Sequence, residues 1–144
     1  MDIHEYQAKK ILSDFGITIP RGGIAYSPEN AEFKAREIGG SKWVVKAQVH
    51  SGARGKAGGI KLCDTELEVA QAADKLLGRK LVTNQTGPSG KIINRVYIEE
   101  ATQIEKELYL GLVFDRGSEC IMVVASTEGG MSVEEISQQK PESI

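Results

Sequence analysis

The sequence predicts an α+β fold with mixed or antiparallel sheets, and three observations carry this. Helical and strand-like segments interleave without a strict βαβ rhythm. Strand-like runs are joined by glycine-rich turns in residues 43–62 and again in residues 81–99, which is how hairpins are built. The 144 residues, 40% hydrophobic and 26% charged, suffice for the core of one domain or of part of a larger protein.

The elements follow in order. Asp2 with Glu5 resembles a capping box, and Ala8, Ile11, Leu12 and Phe15 recur at helical spacing up to Gly16. Residues 17–20 read as an extended connector. Ser27 and Pro28 open a second helix as N-cap and first helical residue. Ala31, Ala35 and Ile38 mark its buried face, and Gly39-Gly40 its end. Residues 43–49 form a strand, and residues 60–63 its return. Asp64 or Thr65 caps a third helix, with Leu67, Ala70, Ala73 and Leu77 on one face. Strands over 81–86 and 92–99 flank the turn Gly87-Pro88-Ser89-Gly90. Residues 107–115 are a further strand, and Arg116-Gly117-Ser118 turns it into residues 120–125. The unbroken apolar run there predicts a buried strand. Ser132 caps a last short helix over 133–139.

Composition removes several classes of function. A net charge of −2 supplies no basic field for non-specific nucleic-acid binding. No apolar run approaches the roughly 20 residues that cross a bilayer. The N-terminus MDIHEYQAKK has no apolar core of a secretory signal. Cys63 and Cys120 lack CxxC spacing, so reduced, buried thiols are expected rather than a metal site or disulfide. A cytoplasmic protein, or an organelle protein whose transit peptide has been removed, fits.

The chemistry concentrates in WVVKAQVHSGARGKAGGIKL, residues 43–62. Residues 50–59 hold four glycines and the cations Arg54 and Lys56. Glycines let backbone N–H groups approach a ligand, and exposed amides with fixed cations bind anions, phosphate above all. An ordinary hairpin loop with solvated charges is the competing reading. A Walker P-loop is excluded, because no Ser or Thr follows Lys56. A dinucleotide fingerprint is excluded too: Gly52, Gly55 and Gly58 are spaced GxxGxxG and lead to a strand, not a helix. A strand–loop–strand clamp can instead close over phosphates as a lid. Before the loop, alternation puts Trp43, Val45 and Ala47 on one strand face and Val44, Lys46 and Gln48 on the other. A lysine inside an apolar strand needs an anion, which a phosphate supplies; a snorkelling or edge lysine is the alternative. In VYIEEATQIEKELYLG, Glu99 and Glu100 end a strand and Glu107 lies within the next. Such acids can accept from an adenine amine or ribose hydroxyls, though taken alone they read equally as solvated or paired acids. His4 reads as a first-turn surface residue. His50 flanks the loop and either touches phosphate or anchors the loop. No Ser-His-Asp set or metal cluster is visible in the sequence.

Taken together, HEYQAKKIL, PRGG, the 43–62 segment, GRKLVTNQTGPSG, YIEEAT, KELYLG, DR and ASTEGGM occur in an order that resembles the beta subunits of succinate–CoA ligases, ADP-forming type. The resemblance covers the whole chain. It implies an ATP-grasp fold, in which a nucleotide lies between two α+β lobes with adenine at the hinge and phosphates under a glycine-rich lid. By position, Lys46 would bind nucleotide phosphate, and Ala53, Arg54 and Gly55 would form the phosphate-contacting part of the lid. Glu99 and the backbone through Thr102 would hold the base, and Glu107 the ribose. Position 53 departs from the family's glycine (GARG here, GGRG there), and alanine resists positive φ. Pro20 looks like the adenine-specific branch.

The resemblance further implies ATP or ADP and Mg²⁺ as cofactors, with succinate, CoA and ATP interconverting with succinyl-CoA, ADP and phosphate in the tricarboxylic acid cycle. The phosphoryl group would travel on a histidine of a partner alpha subunit, so no catalytic residue and no metal ligand is expected in this chain. The Mg²⁺ ligands and the CoA-ligase domain would lie beyond Ile144. Residues 21–102 would be one lobe, with the lid at 50–59, and residues 1–20 with 103–144 part of a second, incomplete lobe. The 144 residues alone would be inactive. The implied location is the bacterial cytoplasm, or the mitochondrial matrix in a eukaryote. The alternatives are a malate–CoA ligase or citrate-cleaving relative, a carboxylate–amine ligase, and a non-catalytic nucleotide-binding module.

Overall fold

The computed structural model describes residues 3–130, 137–138 and 141–143. They fall into two compact units, Met1–Thr102 and Gln103–Ile144.

In the first unit, β1 (Gly22–Ala25), β2 (Trp43–Ala47), β3 (Ile60–Cys63) and β6 (Val96–Glu100) form an antiparallel sheet in the order β1-β6-β2-β3. Val45 lies opposite Ile98 in the register, and both are fully buried. Helices α2 (Pro28–Ile38) and α3 (Glu66–Leu76) cover that face. The core joins Ala31, Ala35 and Ile38 of α2 to Val69, Ala73 and Leu76 of α3 and to the buried strand residues.

Local chemistry explains the helix boundaries. The Ser27 hydroxyl accepts from the Asn30 N–H, Pro28 opens α2, and Gly39 ends it at φ 72°. For α3 the cap is Thr65, whose hydroxyl accepts from the Glu68 N–H. Its buried face differs from expectation. Val69, Ala72, Ala73 and Leu76 face the core, while Leu67 is exposed. Ala73 belongs to both apolar stripes of this helix, and Leu77 of the expected one is partly buried against the core. Cys63 is buried, and burial with the charges of Glu68 and Asp64 pushes its thiol up to about 11. Cys120 is exposed, contrary to expectation.

The sheet's other face meets α1 (Glu5–Asp14). Its N-cap is His4, whose N–H donates to Gln7 Oε1 at 2.8 Å; Asp2, the expected cap, lies outside the described residues. The stripe Ile11, Leu12 and Phe15 is exposed, and the polar stripe, Glu5 and Lys9, is turned to the sheet by ion pairs. Helix α1 lies within the first unit. Between α3 and β6 the chain makes only a two-residue ribbon, β4 (Lys80–Leu81) with β5 (Lys91–Ile92), shorter than the predicted strands. The Thr83 and Thr86 side chains fold residues 83–86 into a turn instead.

The second unit contains the antiparallel hairpin β7 (Tyr109–Asp115) and β8 (Cys120–Ser126). Asp115 closes its turn by accepting from the N–H groups of Gly117 and Ser118, and Glu119 sits at φ 53°. The expectation of a buried strand over 120–125 is not met. Ile121, Met122 and Val123 are exposed, because the hairpin's apolar side chains have no covering layer among the described residues. A short 3₁₀ helix spans Pro141–Ser143, and the helix expected over 133–139 falls largely outside the described residues.

Candidate functional site

The alternation in β2 is as predicted: Trp43, Val45 and Ala47 are buried in the core, and Lys46 points to the opposite face. There its ammonium donates to Glu99 Oε1 at 2.7 Å and to Glu5 Oε1 at 3.2 Å. Glu99 stands on β6 one step diagonally from Lys46, since Glu99 lies opposite Val44 in the register, which puts both side chains on one face. Glu99 is 6% exposed and its second oxygen faces Lys9 Nζ. Lys9 lies over the Tyr97 ring, 5.4 Å from its centroid. The sequence's anion for Lys46 is therefore, in this structure, a pair of carboxylates.

Arg54 completes the cluster. Its Nη1 donates to the Ala47 carbonyl and its Nη2 to Glu5 Oε2, both at 2.7 Å. The guanidinium is thus tucked inward beneath its own loop. Gln48, nearly buried, donates to Glu5 Oε2 at 3.3 Å, and its own Oε1 accepts from the Tyr6 N–H. Burial alone would raise the Glu5 carboxyl. The charges of Lys46 and Arg54, an Arg54 hydrogen bond and the Lys9 charge outweigh it and hold the group at about 2. The formal charges of Lys9, Lys46 and Arg54 against those of Glu5 and Glu99 leave +3 − 2 = +1.

The glycine loop folds over this cluster. Ala57, Gly58 and Gly59 donate their N–H groups to the carbonyls of Ala53, Gly55 and Arg54 respectively, so the loop closes on itself as a tight turn. The N–H groups of residues 53–55 take no part in that turn's bonding. Ala53 sits at φ 54°, the left-handed conformation that suits glycine. The loop's entry is pinned from outside: the Gly52 N–H donates to Gln85 Oε1 at 2.6 Å, and the Ser51 hydroxyl meets that of Thr83. His50 stacks on His4 with ring centroids 4.0 Å apart. Burial and the nearby charges of His50, Arg95 and Arg54 lower the His4 pKa. A cleft of about 400 Å³ opens between Glu5, Arg54 and residues 49–52, with Gln85 at its wall.

The structure brings Lys46, Glu99 and the segment Ala53-Arg54-Gly55 into one neighbourhood. Thr102 is exposed at the last position of the first unit, and Glu107 lies exposed in the second unit just before β7. The Glu107 carbonyl accepts from the Gly129 N–H at 3.2 Å. Sequence reasoning missed Glu5, Lys9, Gln48, Thr83 and Gln85. The i,i+4 pair Glu5–Lys9 beside an apolar stripe was the available signal, but such pairs are usually solvated. Among the described residues no group of three His, Cys, Asp or Glu is placed to hold a metal ion. Glu5 and Glu99 are both committed to cations, so these residues do not fit a Mg²⁺ site.

An antiparallel α+β domain with a glycine loop folded over a partly buried ion cluster is the class that fold and site define. The chain belongs to the ATP-grasp domain family, which matches residues 2–144. It is 63% identical over 144 residues to the probable malate–CoA ligase subunit beta of Mesorhizobium japonicum, covering 100% of this chain and 36% of that protein. It is 54% identical over the same span to the succinate–CoA ligase [ADP-forming] subunit beta of Nautilia profundicola, covering 37% of it. The chain therefore spans little more than a third of the length of these curated relatives. Among solved structures it resembles the dinucleotide forming acetyl-coenzyme A synthetase 1 of Ca. Korarchaeum cryptofilum, in complex with coenzyme A and Ca-AMPCP. The TM-score is 0.65 at 24% identity, over 86% of this chain and 53% of that one, a likeness of fold.

Proposed function

We propose that these 144 residues are the nucleotide-binding front part of the beta subunit of an acid–CoA ligase, one that couples ATP to the joining of a dicarboxylic acid and CoA. The observation that carries this is the net positive, partly buried cluster around Lys46 beneath a loop whose 53–55 amides are outside its own hydrogen bonding. Phosphate oxygens match both: the ammonium of Lys46 as a charged donor, and consecutive N–H groups as a cradle. Lys46 and the lid amides would position the phosphates and neutralise charge, the protein's main contribution to phosphoryl transfer. Glu99 and the backbone to Thr102 would face the base, and Glu107 the ribose. In this reading residues 21–102 and residues 1–20 with 103–144 contribute to two lobes of the longer protein, which acts in the cytoplasm. Mg²⁺ ligands, the CoA-ligase domain and contacts to an alpha subunit carrying the phosphorylated histidine belong to that longer protein. Succinate is the first acid proposed. Malate is the second, favoured by the higher identity to the malate–CoA ligase subunit.

The test is calorimetric titration of the natural-length protein with ADP. Lys46→Ala is expected to weaken binding roughly 10- to 100-fold, the range for a charge-assisted hydrogen bond to phosphate. Unchanged affinity would remove Lys46 from the site. Coupled assays with succinate and with malate then separate the two acids. The purified 144-residue chain is expected to turn over neither; measurable ligase activity from it would refute the division of labour.

A further inference from the structure

We propose that Glu5 is a positioning residue for the glycine loop, fastening Arg54 of the loop to Lys46 of β2 so that the 53–55 amides are held over the cation. This rests on the phosphate-binding reading above and adds to it a residue from a different element. One carboxylate accepts from Arg54 Nη2 at 2.7 Å, Lys46 Nζ at 3.2 Å and Gln48 Nε2 at 3.3 Å. Arg54 is gripped on its other side by the Ala47 carbonyl at 2.7 Å. Its guanidinium cannot reach outward without losing both partners, so Arg54 meets a ligand through its N–H, and its side chain is the loop's anchor.

The arrangement is specific in three ways. First, a guanidinium forks between two acceptors, a geometry that lysine cannot reproduce. Second, the anchor sits inside the segment whose amides remain for a ligand. The other ties, His4 on His50, Ser51 with Thr83 and Gly52 with Gln85, act at the loop's entry. Third, Arg54 and Glu5 side chains are only 17% and 19% exposed, so the pair is little screened by water. A loop ordered before its ligand arrives loses less entropy on binding. The geometry also admits an opposite role, in which the Glu5 carboxylate occupies the place of a phosphate and must be displaced. The two roles differ in the sign of the effect on affinity.

The experiment uses the natural-length protein as wild type, Glu5→Gln and Arg54→Lys, the second variant guarding against a folding defect peculiar to the first. Amide hydrogen exchange of the nucleotide-free protein over residues 51–58 is the first readout, and ADP titration the second. Both variants are expected to exchange faster across the loop and to bind ADP about tenfold more weakly, the worth of one charge-assisted hydrogen bond. The double variant is expected to be no worse than either single one, because the two side chains act as a unit. Unaltered loop exchange in both variants overturns the proposal and leaves Glu5 a merely structural ion-pair partner. Tighter ADP binding by Glu5→Gln overturns it in favour of a displaced placeholder. The exchange arm needs no nucleotide. If wild type bound no ADP, the nucleotide reading would fail while loop exchange still decided the role of Glu5.

Discussion

Glu5 links the fold's stability to pH. Its carboxyl is held at about 2 in the folded chain, against 4.5 for the free group. Burial opposes this, and the charges of Lys46, Arg54 and Lys9, with an Arg54 hydrogen bond, prevail. The folded value is the lower one, so ionised Glu5 stabilises the fold above pH 4.5. That contribution drains as pH falls towards 2, and it amounts to about 3 kcal/mol. Urea unfolding at pH steps from 6 to 3 is the measurement. Glu5→Gln is expected to be less stable than wild type at pH 6, with the gap closing as the wild-type carboxyl protonates. A gap constant across that range would mean that the carboxyl charge is not what the cluster uses. His4 moves the other way in charge, since its lowered pKa keeps the imidazole neutral near pH 7 against the stacked His50.

At the scale of elements, the loop between β2 and β3 carries one local strain. Ala53 holds φ 54°, which costs an L-residue roughly 1–2 kcal/mol. Glycine removes that cost but gives the unfolded chain more freedom, worth about 0.5–1 kcal/mol. Ala53→Gly is therefore expected to stabilise the fold by about 0.5 kcal/mol, read as a shift of the urea midpoint. A loss of stability would show that the Ala53 methyl group packs usefully. Much of this element was legible in the sequence, because its signals are local. Glycine spacing excluded helix-borne phosphate loops, and strand alternation set Lys46 opposite Val45 and Ala47. The helix caps at Ser27 and Thr65 were legible for the same reason. What occupies Lys46 was not legible. Glu5 and Glu99 lie 41 and 53 residues away in sequence, and only the antiparallel register and the seat of α1 bring them together. The polar seat of α1 also inverted the expected burial of Ile11, Leu12 and Phe15. An amphipathic helix announces which residues share a face, but not which face its neighbour prefers. Here three cations and two acids settled that choice.

At the scale of the whole molecule, the two units differ in how much apolar surface they bury. The first encloses Val45, Val69, Ile93, Val96 and Ile98 almost completely between sheet and helices. The second exposes a ladder: Leu110, Leu112 and Phe114 of β7 lie opposite Ala125, Val123 and Ile121 of β8. Leu110 and Leu112 are each 71% exposed and Ile121 69%. A lone two-stranded ribbon is marginal in water, because it gains too little burial to offset the ordering of its backbone. The curated relatives that this chain matches are nearly three times its length, and on the proposed reading further chain covers such a ladder. Chymotrypsin cuts after exposed aromatic and leucine residues once their backbone opens, so it reads local stability directly. Brief digestion of the 144-residue chain is expected to cleave first within residues 108–123 and to leave a resistant product close to Met1–Thr102. The natural-length protein, digested alongside, is expected to resist at those same bonds. In a parallel tryptic digest, cuts after Arg54 or Lys56 ahead of any after Arg116 would show instead that the ties of the 50–59 loop to Glu5, Thr83 and Gln85 are weaker than the hairpin. Equal cleavage of the hairpin in both proteins would mean that nothing in the longer chain covers it.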